Sequence, residues 1–143
     1  MRCLYLTLFN VMLLLISSPL FAANESSLDV LMNQLTKAKL KQVPVIVEQL
    51  EAQGGEKMLP LFSAMLVGEL YYRKDDIRLV QAKKVEDGKY NIIDVITAES
   101  LGSVKKKAIR KVRVNNRLRT QLRAAISRLT LFSSDRDVRE IAI

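Results

Sequence analysis

Apolar residues are spaced differently in successive stretches of this chain, and each spacing predicts a different kind of element. After the polar stretch Asn24–Ser27, Leu28, Leu31, Met32 and Leu35 recur at three- and four-residue intervals and predict a short amphipathic helix, closed or turned by Lys37, Lys39 and Lys41. A second helix is expected near Pro44, with Val43, Ile46, Val47 and Leu50 on its inner face and Gly54-Gly55 as its stop. A third starts near Pro60, turns Leu59, Phe62, Met65 and Leu66 inward, and ends at Gly68. Two helices opened by proline and closed by glycine predict a helical-hairpin, HEAT-like unit.

From Leu70 the pattern changes. Leu70–Lys74, Arg78–Lys83 and Tyr90–Ile96 are rich in aromatic and β-branched residues, with Asp75-Asp76 and Glu86-Asp87-Gly88 between them. They predict a three-stranded antiparallel meander. Ser103 is expected to cap a short helix over Lys105–Val112. Asn115-Asn116 then breaks the chain before a stronger helix carrying Leu118, Leu122, Ala125, Ile126 and Leu129. Ser133-Ser134-Asp135 would cap one more helix, with Val138, Ile141 and Ala142 on its apolar side; the chain stops about two turns into it, so the domain is expected to be truncated in its last helix. The fold class is therefore α+β, with the strands set between helical parts.

The first two dozen residues stand apart from this pattern. Arg2, the apolar runs Leu4–Phe9 and Val11–Ile16, the breakers Ser17-Ser18-Pro19 and the small residue Ala22 follow the order of a secretory signal peptide. We assign residues 1–22 to that leader and 23–143 to a single extracytoplasmic domain, placed in the periplasm or on the periplasmic face of the inner membrane. The alternatives are a buried core helix and an uncleaved membrane anchor, although the apolar stretch is short for a bilayer span.

Composition narrows the chemistry more than the class. Histidine is absent and the only cysteine is Cys3, inside the leader. That excludes zinc sites, Cys–His nucleophiles and Ser–His–Asp triads, and leaves no disulfide framework. No phosphate loop, nucleophile elbow or carboxylate pair stands out. The sequence thus points to a non-enzyme with no cofactor and no metal. Asp75-Asp76 is better explained by turn chemistry than by metal ligation.

Charge is the remaining lead. The chain carries a formal net charge of +8, and Lys105, Lys106, Lys107, Arg110, Lys111, Arg113, Arg117, Arg119, Arg123 and Arg128 follow one another with no acid among them. They are either an anion-binding face or a solvated surface balanced by acids such as Glu48, Glu51, Glu86 and Glu99. Asn115-Asn116-Arg117 would cap a helix and also bring amide and guanidinium groups together at its N-terminus. Tyr71 and Tyr72 lie on opposite faces of a strand, so at most one can accompany Arg73 and Lys74 outward. The candidate partner-binding residues are Arg73, Lys74, Asn115, Asn116, Arg117, Arg119 and Arg123.

A leader, a helix pair ending Leu59-Pro60-Leu61-Phe62 and then Gly68–Asp76 with its Leu-Tyr-Tyr-Arg-Lys stretch, a small β meander, and Ile109–Arg119 with its Val-Asn-Asn-Arg-Leu-Arg stretch form an order of features that covers essentially the whole chain. This order resembles the N-terminal extracytoplasmic extension of the permease subunit of bacterial urea ABC transporters, relatives of the branched-chain amino-acid permeases. In that family a long hydrophobic pore domain follows, and nothing here corresponds to it. The resemblance therefore implies a truncated or split permease that docks on a permease or solute-binding subunit and carries no catalytic residues. A free-standing periplasmic module binding protein or anionic lipid headgroups is the alternative. A nucleic-acid binder is disfavoured by the leader.

Overall fold

The computed structural model describes residues 22–132. The described residues are mixed helix and strand: four α-helices and one five-stranded antiparallel sheet. The expected leader lies outside the described residues except for Ala22, and the expected helix after Ser133 lies outside them altogether.

Helix α1 (Ala22–Lys37) buries Leu31 and Leu35 and ends with Lys37, a cation suited to the negative end of the helix dipole. Helix α2 (Val43–Gly54) carries Pro44 in its first turn and buries Val43, Ile46, Val47 and Leu50, as its spacing predicts. A 3-10 turn at Gly55–Met58 leads into helix α3 (Leu59–Val67), whose Leu61, Phe62, Ala64 and Met65 are buried. Gly68 closes α3 in the left-handed conformation at φ 78°. Its N–H reaches the carbonyl of Met65 and that of Glu69 the carbonyl of Ala64, a Schellman stop that any side chain with a Cβ would strain.

The strands are β1 (Leu70–Arg73), β2 (Leu79–Lys84), β3 (Lys89–Asp94), β4 (Ser100–Lys105) and β5 (Ile109–Lys111), in the spatial order β4-β3-β2-β1-β5. Two expectations fail here. The sheet has five strands rather than a three-stranded meander, and the helix expected over Lys105–Val112 is β4, a 3-10 turn at Lys106–Ala108 and β5. The three-residue spacing of Ile109 and Val112 looks helical, yet in a strand it places the two on opposite faces. Both faces are covered at this point, so both residues are buried, in different clusters. The double burial hides the two-residue period.

The link between β4 and β5 forces the sheet to curl. In a flat sheet with strands about 4.8 Å apart, the two edge strands would lie roughly 19 Å from each other. A single 3-10 turn advances only about 2 Å per residue and cannot span that gap. The sheet therefore curls without closing: β4 and β5 do not pair, but Ile109 of β5 shares a buried cluster with Val80, Ala82 and Ile92, against which Leu101 and Val104 of β4 pack. Tyr71 and Tyr90 complete this inner core, their ring centroids 5.7 Å apart.

The other face of β1, β2 and β5 meets the helices. Leu70, Leu79, Val95 and Val112 join Leu35, Val47, Leu50, Phe62 and Met65 in the larger core, with Tyr72 packed on its margin. Helix α4 (Asn116–Leu131) completes that core through Leu118, Leu122 and Ala125, each at most 1% exposed. Helix α1 packs on α2 and α4 on α3, with the whole sheet inserted in sequence between α3 and α4. The helices share one core with the sheet, and this arrangement does not establish the expected HEAT-like hairpin. No described helix is long and apolar enough to cross a membrane.

Candidate functional site

The start of α4 is set by Asn115. Its backbone is extended (φ −99°, ψ 175°) and its side-chain oxygen accepts the Leu118 N–H at 2.8 Å, which makes it the helix N-cap. Asn115 is thus committed to holding the helix. With α4 starting at Asn116, the helical repeat of 100° per residue places Asn116, Arg119 and Arg123 within about 60° of one another on one exposed face. Arg117 sits on the opposite flank, the side where Gln121 donates to the Pro44 carbonyl (2.9 Å) and Arg128 makes a two-pronged pair with Glu51 (2.7 and 2.8 Å). The candidate arginines of α4 therefore form two edges of one helix.

Arg73 and Lys74 behave differently from each other. Arg73 is occupied by its own turn: Nη2 lies 2.5 Å from Asp75 and Nε 3.4 Å from Asp76. The hydrogen bond from Arg73 holds the Asp75 carboxyl well below the usual carboxylate range and raises the guanidinium pKa in turn. Lys74 gives its backbone N–H to the Ala108 carbonyl, which ties the β1 end to the basic turn Lys106–Ala108, and its side chain is exposed. Asp75 and Asp76 are thus turn and ion-pair residues. No group of three His, Cys, Asp or Glu side chains among the described residues could hold a metal ion.

Of the ten cations from Lys105 to Arg128, Arg128 alone forms an ion pair among the described residues. Neither Glu48 nor Glu51 reaches the others: Glu48 accepts from Gln121 and Glu51 from Arg128. Glu99 turns to Arg78, 3.8 Å away. The buried Asp94 also binds Arg78, at 2.6 Å, and accepts the N–H groups of Ile96 and Thr97. Burial pushes the Asp94 pKa up, but the hydrogen bonds from Thr97, Arg78 and Ile96 outweigh it and hold the carboxyl below its ordinary value.

The fold also joins two basic segments far apart in sequence. Lys37 at the end of α1 and Ala38–Leu40 after it face Arg110–Arg113 of β5 and its exit across a groove of about 660 Å³, with Tyr72 and Val43 in its wall. Its charged lining consists of Lys37, Lys39, Arg110, Lys111 and Arg113, and no carboxylate lines it. Lys111 extends over the Tyr71 ring, 5.8 Å from its centroid, so its charge is partly engaged. A larger groove of about 900 Å³ between α1 and α2 is mostly apolar, with Val30 and Val45 each 56% exposed.

Both basic segments are visible in the sequence as charged runs. Their meeting across the groove is invisible there, because it depends on β5 pairing with β1 and on that stretch being strand rather than helix. No family model, curated protein or solved structure matches this chain.

Proposed function

We propose that this chain is a non-catalytic docking domain, the extracytoplasmic front part of a urea-type ABC permease. It holds an acidic surface of a permease or solute-binding subunit against its cationic side. One observation carries the reading. Arg117 and Arg119 occupy the first turns of α4, where no acid is present, and neither has an ion-pair partner among the described residues. The helix dipole disfavours cations at that end and favours acids, so these arginines work against the stability of their own helix. A side chain that breaks a local rule without an internal compensation is best explained by something outside the fold. The unpaired cations of the β4–β5 turn and the groove extend the same charge. A histidine-free chain is suited to recognition and poorly equipped for acid–base chemistry.

The test is co-purification from cells expressing the tagged full chain, after in-cell cross-linking and identification of the captured proteins. A permease or solute-binding subunit should be recovered, and the triple charge reversal Arg117→Glu, Arg119→Glu, Arg123→Glu should remove it while the domain stays folded by circular dichroism. Recovery of the chain without any transporter subunit would overturn the reading. Equal retention of wild type and triple variant would do the same. So would binding to phosphatidylglycerol vesicles in place of protein capture, which belongs to the lipid-binding alternative.

A further inference from the structure

The cationic groove has a backbone feature that its charge alone does not require. In the β1–β5 ladder the Val112 N–H bonds to the Leu70 carbonyl and the Lys74 N–H to the Ala108 carbonyl. Residues 108, 110 and 112 therefore turn their backbone groups toward β1. By the alternation of an antiparallel pair, those of Ile109 and Lys111 point the other way. The Ile109 N–H is taken by the Lys106 carbonyl. The N–H and C=O of Lys111 are left on the open edge of β5, the outermost strand on this side of the sheet. That edge forms one bank of the groove, and no backbone hydrogen bond joins it to Lys37–Leu40 on the other bank.

We infer that this groove receives an extended acidic peptide segment of a partner protein, which adds to β5 as a sixth strand. The inference rests on the docking reading above and specifies its binding mode. The peptide backbone would exchange hydrogen bonds with Lys111, and alternate acidic side chains would meet Lys37, Lys39, Arg110 and Arg113. At about 3.3 Å per residue, Arg110–Arg113 presents roughly 13 Å of chain, enough for a short strand of about four residues. The same cations explain the choice of partner. Lysine and arginine on an edge strand repel neutral or basic edges, including that of a second copy of this chain, and an acidic strand reverses that penalty.

The experiment uses the full chain and a fluorescein-labelled peptide Val-Glu-Val-Glu-Val-Glu, read by anisotropy at low salt. Three companions accompany it: the basic peptide Val-Lys-Val-Lys-Val-Lys, the acidic peptide N-methylated at every peptide nitrogen, and the variants Arg110→Glu and Lys39→Glu. The acidic peptide should bind, and each variant should bind it about tenfold more weakly, the size of one lost charge-assisted contact. The basic and N-methylated peptides should not bind. In ¹⁵N-labelled protein the Lys111 amide should shift on titration with the acidic peptide. Equal binding of the N-methylated peptide, or an unmoved Lys111 amide, overturns strand addition and leaves the broader docking reading standing. Failure of the acidic peptide to bind at all overturns strand addition too. The docking reading falls separately, if co-purification of the wild-type chain recovers no transporter subunit. If Arg110→Glu unfolds the domain, Lys39→Glu, on the turn after α1 and away from the sheet, carries the same comparison.

Discussion

Replacing Arg117 by glutamate should make this protein more stable and worse at its task. Arg117 is exposed and lies two residues past the Asn115 cap, at the positive end of the α4 dipole. A charge at a helix terminus is worth about 0.3–1 kcal/mol when exposed, so exchanging a disfavoured cation for a favoured anion should gain about 1 kcal/mol. For a domain of this size that corresponds to a rise of about 4 °C in Tm. Part of any gain would come from lowering the net positive charge, so Arg123→Glu, in mid-helix, serves as the control with the same charge change and no helix end. Urea denaturation in about 10 mM and about 500 mM salt separates the contributions, since the end effect should shrink as ions screen it. If Arg117→Glu is destabilising, or no more stabilising than Arg123→Glu at low salt, Arg117 serves the fold and the argument for an external partner collapses.

Other outcomes follow from the same geometry. Asn115→Ala should cost about 1 kcal/mol of stability, while Asn115→Asp should keep the cap and lose almost nothing; a matching loss for both would show that the side chain does something other than cap. Asp94→Asn should lower stability at pH 7 by roughly 1–3 kcal/mol, because a buried charge-assisted network is weakened. The folded Asp94 pKa lies below its unfolded value, so its contribution is complete above about pH 4 and fades as pH falls through the folded pKa. The gap between wild type and Asp94→Asn in acid denaturation should therefore close below about pH 4, and a gap that widens there would contradict the assignment. Leu122, with no exposed surface, should cost about 2–5 kcal/mol as Leu122→Ala, measured by thermal denaturation; a loss under about 1 kcal/mol would mean that α4 is not docked as described.

The sequence was informative where one face of an element meets the core. Leu118, Leu122 and Ala125 announce α4, and the Pro44–Gly54 and Pro60–Gly68 pairs mark the second and third helices closely. Tyr71 and Tyr72 do take opposite faces, one in the inner core and one against the helices. Legibility fails where both faces of a strand are covered, as at Ile109–Val112, because burial on both sides erases the alternation that identifies strands. The weakly apolar β4, Ser100–Lys105, with no fully buried residue, was missed for the opposite reason. The candidate site was half legible. Its cations are plain in the sequence, but the pairing of Arg73 with Asp75, the use of Asn115 as a cap and the convergence of Lys37–Lys39 with Arg110–Arg113 depend on turns and strand pairing that no local pattern encodes.

The order in which the cores close also bears on when this protein can fold. Phe62, Met65 and Leu70 are synthesised early, yet their cover includes Leu118, Leu122 and Ala125, near the far end of the described chain. The inner cluster likewise waits for Ile109. A partly made polypeptide thus has no complete hydrophobic interior to commit to, and contacts of such long sequence separation form late and slowly. The domain should emerge from the ribosome as a collapsed but unsettled chain and reach its final packing only after α4 has been released.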